Sequence, residues 1–335
     1  MPPSAFRLDW IQLLLEHRTP PATALFQLFT FLGEIEGYVL VVALLYFTHD
    51  KKLAFRLAVL ALGAMCLNHG LKTWIAHPRP FVGEGTWAEK WAVSASRAQE
   101  LAGEYSTPSG HAMAGGTFYA YLAARVRRPL PRGVALAALL LTGLSRPYLG
   151  VHYVEDVILG WALGLAIAAL AVRYGEGVAR ALGRFPLPMV CAGVVTCSAA
   201  AWLVTRSLYA ASAAGPPLAL LSYTGLLAGS ALAYPLECRW VRFDPRSASA
   251  ARKVVRTLLA VAGVLGTVEL LDVAFGALAE DTSAPGHALR FLRHALAGVV
   301  GFLLAPFAFV FLGLAEAERA PRPRAAVVDP RGVRP

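Results

Sequence analysis

Three short stretches of the chain carry residue types that could bind and cleave a phosphate ester. They are Lys72-(six residues)-Arg79-Pro80, Pro108-Ser109-Gly110-His111 and Ser145-Arg146-(five residues)-His152-(three residues)-Asp156. Arginine and lysine are the side chains that most often bind phosphate oxygens. A histidine held by a nearby carboxylate can act as a nucleophile or transfer a proton. The combination indicates a site for phosphate chemistry.

The three cations of these stretches lie at the edges of long apolar segments. A charge near the hydrocarbon layer is costly, so it marks either a functional site or a side chain that reaches back to the headgroups. For Lys72, Arg79 or Arg146 taken alone, the two interpretations weigh equally. Together on one face of a membrane, the three favour an anionic ligand.

The segment Pro108-Ser109-Gly110-His111 is typical of a helix start. Ser109 is a good N-cap, and Gly110 lets a ligand approach the backbone. The free N–H groups of the first turn would then face an anion. By itself this tetrapeptide is a weak signal, because proline, serine and glycine start many helices.

His152 and Asp156 are four residues apart and so share one face of a helix. An aspartate that accepts from one imidazole nitrogen fixes the tautomer and leaves the other nitrogen able to attack. His111 would be the acid that protonates the leaving oxygen. An isolated His-x-x-x-Asp is more often structural, but its position after Ser145-Arg146 favours function.

The composition predicts an all-α, polytopic membrane helical bundle. The 335 residues are 57% hydrophobic and 16% charged, with a net charge of +10 and a mean hydropathy of +0.54. Soluble domains are less apolar and more charged, and the strand alternation of a barrel is missing. The cations cluster in short loops between apolar segments, which argues against a nucleic-acid partner. The four cysteines lack metal-binding spacing, so no metal is expected from them.

Nine apolar segments are long enough to be considered as spans. They lie near 35–48, 53–75, 109–125, 131–147, 154–174, 187–208, 216–236, 254–278 and 291–315. If the first runs from outside to inside, most of the 31 lysines and arginines fall in cytoplasmic loops, as the positive-inside rule requires. The same topology places the motif-bearing ends of the spans together on the extracytoplasmic face.

Residues 30–175 resemble the type 2 phosphatidic acid phosphatase family of membrane enzymes, which is related to the vanadium haloperoxidases. All three signature stretches are complete, and the flanking Leu67-Asn68-His69-Gly70-Leu71-Lys72 and Tyr148-Leu149-Gly150-Val151-His152 are similar to bacterial members. The resemblance implies a six-span core. The expected division is therefore N-terminal interfacial helices in 1–33, the catalytic core in 34–208, additional transmembrane helices in 209–316, and a disordered basic tail in 317–335.

The resemblance also implies a role for each site residue. The phosphate oxygens would be bound by Lys72, Arg79, Ser109, Gly110 and Arg146. His152 would attack phosphorus and form a phosphohistidine, with Asp156 orienting it. His111 would protonate the departing group and then activate water. Neither a metal nor another cofactor would be needed, because three fixed cations neutralise the phosphate.

The leading expectation is a phosphatase for a membrane lipid phosphate or diphosphate, such as a polyprenyl diphosphate or a phosphatidate-like lipid. It would act at the periplasmic side of a bacterial inner membrane. A lipid phosphotransferase using the same site is one alternative. A transporter or flippase in the C-terminal spans is another, suggested by Glu269 and Asp272 within an apolar span, although pairing with each other or with Arg206 carries more weight.

A long loop, His77–Thr107, links the second and third spans. Loops of this length in compact proteins usually have a function or are disordered. Trp87 and Trp91 are suited to the level of the lipid headgroups. We expect the loop to cover the site and to help select the headgroup.

Overall fold

The chain folds into a bundle of α-helices in the computed structural model, which describes residues 9–80, 101, 103–209 and 218–318. In chain order the helices are α1 (Asp9–Glu16), α2 (Pro20–Phe31), α3 (Ile35–Thr48), α4 (Lys51–Ile75), α5 (Gly110–Arg125), α6 (Pro129–Tyr148), α7 (Val154–Leu182), α8 (Leu187–Tyr209), α9 (Ala219–Leu236), α10 (Ala250–Gly276), α11 (Ala284–Val299) and α12 (Ala305–Phe311). The π-helical segment Glu237–Val241 continues α9, and Val300–Leu304 joins α11 to α12. The described residues contain helices and no β-strand, which confirms the all-α class.

Six helical segments are long and apolar enough to cross a membrane by length and composition. They are Lys51–Ile75, Val154–Leu182, Leu187–Leu208, Ala219–Val241, Ala250–Gly276 and Ala284–Phe311. Helices α2 and α3, which are bent by 63° at a short break, make a seventh when taken as one span. The protein is a multi-span integral membrane protein, as the sequence predicts.

Helices α5 and α6 occupy two further expected spans but are not among these six segments. Helix α5 has 16 residues and packs against α4, α6 and α7, so most of its side chains are buried by protein. Its Thr117 hydroxyl bonds to the Met113 carbonyl at 2.9 Å and lies 3.3 Å from the Gly164 carbonyl. A polar side chain is tolerated at this depth because its bonds are satisfied inside the bundle.

Glycines let α5 and α7 approach each other closely. A Cβ atom on Gly160 would lie 2.8 Å from the Ser109 carbonyl oxygen, and one on Gly164 would lie 2.4 Å from that of Met113. The two helices begin side by side, and the Ser109 amide donates to the Asp156 carbonyl at 3.0 Å. This contact brings the second and third sequence stretches together.

The C-terminal helices pack onto α3 and α4 through an apolar, largely aromatic core. The Tyr46 ring meets the Phe302 ring edge-on at 5.1 Å and stacks on Phe243 at 6.2 Å. On α4, Phe55 stacks on Tyr234 at 4.0 Å. The additional helices are thus joined to the first spans of the core by burial of large rings, each of which removes much apolar surface from lipid or water.

The acidic residues Glu269 and Asp272 are exposed on the surface of the bundle rather than buried inside it. Both lie on α10, and Asp272 forms an ion pair with Arg293 of the neighbouring helix α11. The sequence left Arg206 and Glu269 as candidate partners of Asp272; the partner in the structure is Arg293, because α11 is the helix packed beside α10. The pairing accounts for a charge that motivated the transporter hypothesis.

Parts of the segments named in the sequence analysis fall outside the described residues. They include 81–100, which contains Trp87 and Trp91 of the expected covering loop, 1–8 of the expected N-terminal helices, 210–217 of the expected additional helices, and 319–335 of the expected tail. The two residues before the last of these segments are described. Ala317 forms an isolated antiparallel bridge with Phe243, and the Glu318 amide donates to the Arg242 carbonyl.

Candidate active site

A polar cavity of about 670 Å³ lies where α4 ends and where α5 and α7 begin. The sequence-predicted residues that line it are Lys72, Arg79, Gly110, His111, Arg146 and His152. Ser109 and Asp156 do not line it, but both are fully buried and adjoin residues that do. The structure thus brings the three stretches to one place. We refer to this space as the polar cavity.

The start of α5 forms one wall of the polar cavity. Ser109 is the N-cap, with extended backbone and a side chain that accepts from the Ala112 amide at 3.5 Å, which confirms the predicted capping. Asn68 of α4 donates to the Pro108 carbonyl at 3.0 Å and holds the turn. Because Gly110 has no side chain, the positive end of the α5 dipole is accessible from the cavity.

His152 is held between a carboxylate and a cation. Its Nδ1 atom lies 3.2 Å from Asp156 Oδ2, and its Nε2 atom lies 3.2 Å from Arg79 Nη1. A guanidinium can only donate, so Nε2 must be the accepting, unprotonated nitrogen and Nδ1 carries the hydrogen. The Tyr153 amide donates to the same Asp156 oxygen at 3.0 Å and fixes the carboxylate.

Two hydroxyls that the sequence analysis did not single out complete the surroundings of Asp156. Ser106 donates to Asp156 Oδ2 and lies 3.2 Å from His152 Nδ1, while Thr107 donates to Asp156 Oδ1 at 2.5 Å. Both precede Pro108 directly in the chain. With these donors, each oxygen of a fully buried carboxylate has a partner, as buried charge requires.

A third unexpected residue, Glu104, lies among the cations. Its Oε2 atom is 3.3 Å from Lys72 Nζ and 3.0 Å from Arg79 Nη2, and its carbonyl accepts from Arg79 Nε at 3.2 Å. Burial by itself would raise the pKa of the Glu104 carboxyl, but Lys72 and Arg79 hold that pKa well below its ordinary value. The carboxylate is therefore charged and occupies a position suited to an anion.

Helix α2 and the break after it position Arg146 and His111. Arg146, at the end of α6, donates to Thr30 Oγ1 at 3.3 Å. Gly33, in the break between α2 and α3, lies against the His111 ring, where a Cβ atom would come within 2.7 Å of Cδ2. The bend between α2 and α3 thus closes the polar cavity beside His111.

Burial and the nearby cations keep the imidazole of His152 neutral. Burial, followed by the nearby cations Arg79, Lys72 and Arg146, lowers the pKa of His152 well below the ordinary value of 6.5. A neutral imidazole whose tautomer is fixed by Asp156 has its lone pair on Nε2, beside the cations. Such a site can bind a tetrahedral anion and present a nucleophile to its central atom.

Two solved structures are similar to part of the chain. One is the crystal structure of Aquifex aeolicus LpxE, with a TM-score of 0.42 and 22% identity, over 52% of this chain and 100% of that one. The other is the crystal structure of the first transmembrane PAP2 type phosphatidylglycerolphosphate phosphatase from Bacillus subtilis, with a TM-score of 0.40 and 24% identity, over 51% and 84% of the two chains.

The sequence also matches a curated protein and two family descriptions. Phosphatidylglycerophosphatase B of Bacillus subtilis strain 168 is 32% identical over 123 residues, which span 34% of this chain and 54% of that protein. Residues 221–318 match "PAP2 superfamily phosphatase, transmembrane extension", and residues 53–179, which contain every predicted site residue, match "PAP2 superfamily". The chain therefore contains a PAP2 superfamily domain in residues 53–179 and a segment, residues 221–318, that matches the transmembrane extension of PAP2 superfamily phosphatases.

Proposed function

We propose that this protein is a lipid phosphate phosphatase that hydrolyses a phosphomonoester or diphosphate through a phosphohistidine on His152. One observation supports this most strongly. The Nε2 atom of a buried, neutral histidine faces a cavity that three cations line, while its Nδ1 atom is held by Asp156. This is the arrangement that a nitrogen nucleophile toward phosphorus requires.

In the first step, the Nε2 lone pair of His152 attacks phosphorus and the bond to the lipid oxygen breaks. His111 gives its proton to that oxygen, so the lipid leaves as an alcohol, or as a monophosphate when the substrate is a diphosphate. Asp156 stabilises the positive charge that develops on the imidazole, through the hydrogen bond at Nδ1.

In the second step, water attacks the phosphohistidine. His111, now neutral, takes a proton from that water. The N–P bond breaks, its electron pair returns to His152 Nε2, and inorganic phosphate leaves. The enzyme is then back in its starting protonation state, with His111 protonated and His152 neutral. The two steps sum to hydrolysis of the ester.

Fixed cations supply the charge neutralisation in this proposal. Lys72, Arg79 and Arg146 all line the polar cavity, and the open start of α5 at Gly110 adds backbone N–H groups. Preorganised donors of this kind stabilise the charge on a transferring phosphoryl group. We therefore propose that the reaction proceeds without a metal ion.

The proposed substrate is a phosphorylated lipid of the extracytoplasmic leaflet, in a bacterial inner membrane. The end of the bundle opposite the cavity carries Lys51 and Lys52 at the start of α4 and Arg125 at the end of α5, which favours the cytoplasm for that end. The relative from Bacillus subtilis is named for phosphatidylglycerol phosphate. That lipid therefore joins phosphatidate and undecaprenyl diphosphate as a candidate.

The test is phosphate release by the purified full-length protein from these three lipids, with EDTA present. We expect release by the wild type and a loss of about a thousandfold or more in His152→Ala. The matched control is His49→Ala, because His49 is exposed and lies at the end of α3 far from the polar cavity. This variant should behave as wild type. Sensitivity to EDTA would refute metal independence, and full turnover by His152→Ala would refute the nucleophile. Phosphate found on an acceptor lipid would instead show transfer.

A further inference from the structure

We propose that the transmembrane extension forms, with α3 and α4, a binding site for one hydrocarbon chain of the substrate. The site is a narrow cleft of about 80 Å³ between the core and the extension. We call it the apolar cleft. Residues that line it include Ile35, Val42, Ala61, Leu226, Val264 and Gly301. The inference rests on the proposed function, because it assigns the lipid part of the same substrate.

The apolar cleft adjoins the polar cavity. Ile35 and Met65 line both spaces. On α4, one helical face carries Lys72 and Met65 in the polar cavity and then Ala61 and Ala58 in the apolar cleft. Their successive spacings of seven, four and three residues keep them on the same side of the helix.

Helix α9 of the extension also contributes residues first to the polar cavity and then to the apolar cleft. Its Tyr223 lines the polar cavity, and Leu226 and Ser230 line the apolar cleft. A single molecule that spans the two spaces must therefore be polar at one end and apolar at the other. A lipid with a terminal phosphate has this character.

The length of the cleft suits a chain that enters from the headgroup level. On α3 its lining extends from Ile35 to Phe47, a rise of about 18 Å at 1.5 Å per residue. That is slightly more than half of the hydrocarbon thickness of a bilayer. The rings of Tyr46 and Phe302, 5.1 Å apart, close the far end. The lining therefore follows the depth that the tail of a neighbouring lipid reaches in the same leaflet, and a segment of the substrate chain would contact it.

The cleft is small. Its volume of about 80 Å³ is roughly that of three water molecules, so it holds a short segment of one chain and excludes a second chain. The walls are partly built of small residues, among them Ala58, Ala61, Ala260 and Gly301. Such walls admit an unbranched chain in close contact, and the contacts with Leu226 and Val264 belong to the extension. The extension therefore acts on substrate selection through the tail rather than through the phosphate.

Photo-crosslinking tests the site without requiring turnover. The probe is a phosphatidate that carries a diazirine in the middle of one acyl chain, added to the purified full-length protein. We expect label within 58–65, 226–230 and 260–264, and we expect it also in His152→Ala. Unlabelled phosphatidate should compete and phosphatidylcholine should not. Label confined to other helices, or equal competition by phosphatidylcholine, would overturn the proposal and identify a site for bulk lipid.

Kinetics of a variant that narrows the cleft provide the second test. A Cβ atom on Gly301 would lie 3.1 Å from Val264 Cγ2, so Gly301→Leu should raise KM for dioleoyl phosphatidate by about tenfold and leave KM for dihexanoyl phosphatidate unchanged. Gly266→Leu on α10, where a Cβ atom meets nothing within 4 Å, is the matched control. An equal effect of Gly301→Leu on both lipids would contradict a tail site.

The two proposals can fail separately. If the wild type binds the probe in the cleft but releases phosphate from no lipid, the phosphatase proposal is wrong. If phosphate is released normally but the label lies elsewhere and chain length has no effect in Gly301→Leu, the tail site is wrong.

Discussion

The chemistry proposed for this protein depends on the hydrogen that Asp156 holds on Nδ1 of His152. Asp156→Asn keeps the shape but weakens the preference for that tautomer and removes the charge that stabilises the developing imidazolium. We expect kcat to fall by about a hundredfold or more. The inhibition constant for inorganic phosphate should stay within about twofold of wild type, because the cations remain.

The neighbouring Glu155→Gln is the control for that substitution, since it removes a carboxylate that does not line the polar cavity. It should retain kcat. If Asp156→Asn weakened phosphate binding as strongly as it lowered kcat, the carboxylate would be a general structural support rather than the partner of a nucleophile.

The lowered pKa of His152 predicts the pH dependence of the reaction. Burial, Arg79 and Lys72 all favour the neutral imidazole, so the nucleophile stays unprotonated at pH values below 6.5. The acidic limb of kcat/KM, which reports protonation of the free enzyme, should therefore lie below pH 6.5. In Lys72→Met one cation is lost and the limb should move upward, toward 6.5. Measuring both proteins with the same lipid cancels the ionisation of the substrate, and an unmoved limb would contradict this origin of the shift.

At the scale of helices, the close contact between α5 and α7 is what places Ser109 and His111 beside His152 and Asp156. A methyl group at Gly164 would meet the Met113 carbonyl at 2.4 Å, so Gly164→Ala must push the two helices apart. We expect it to destabilise the protein by about 1–3 kcal/mol and to lower kcat. Thermal unfolding and turnover of the same preparation measure the two effects.

Gly175→Ala is the control on the same helix, because a Cβ atom there meets nothing within 4 Å. It should be neutral or slightly stabilising, since alanine favours helix over glycine. A Gly164→Ala protein that unfolded and turned over like wild type would show that the site does not depend on this contact.

The sequence predicts the helices and the motif residues better than it predicts their neighbours. Apolar segments and the N-cap at Ser109 follow from local patterns, and helices occupy the expected spans. Ser106, Thr107 and Glu104 contact the site through folding of a loop that has no periodicity, so no local signal marks them. The partner of Asp272 was missed for a related reason, since helix neighbours in a bundle depend on packing rather than on hydropathy.

At the scale of the whole molecule, a buried ion pair joins the extension to the core. Lys51, at the start of α4, lies 3.2 Å from Glu237 Oε1 and donates to the Phe243 carbonyl at 2.8 Å. Glu237 is fully buried, and it also accepts from the Phe243 amide at 2.8 Å. Removing the lysine leaves an uncompensated buried carboxylate, which is costly in a region of low dielectric constant.

Lys51→Met should therefore lower the free energy of unfolding by about 3 kcal/mol, while the polar cavity, at the other end of α4, keeps its geometry. Activity per folded molecule should stay near wild type, and adding Glu237→Leu should restore part of the lost stability, because no buried charge then remains alone. Lys52→Met is the control: its partner Glu176 and its own side chain are both largely exposed, so the melting temperature should not change. If Lys51→Met instead raised KM for long-chain lipids without loss of stability, the pair would serve the apolar cleft rather than the attachment of the extension.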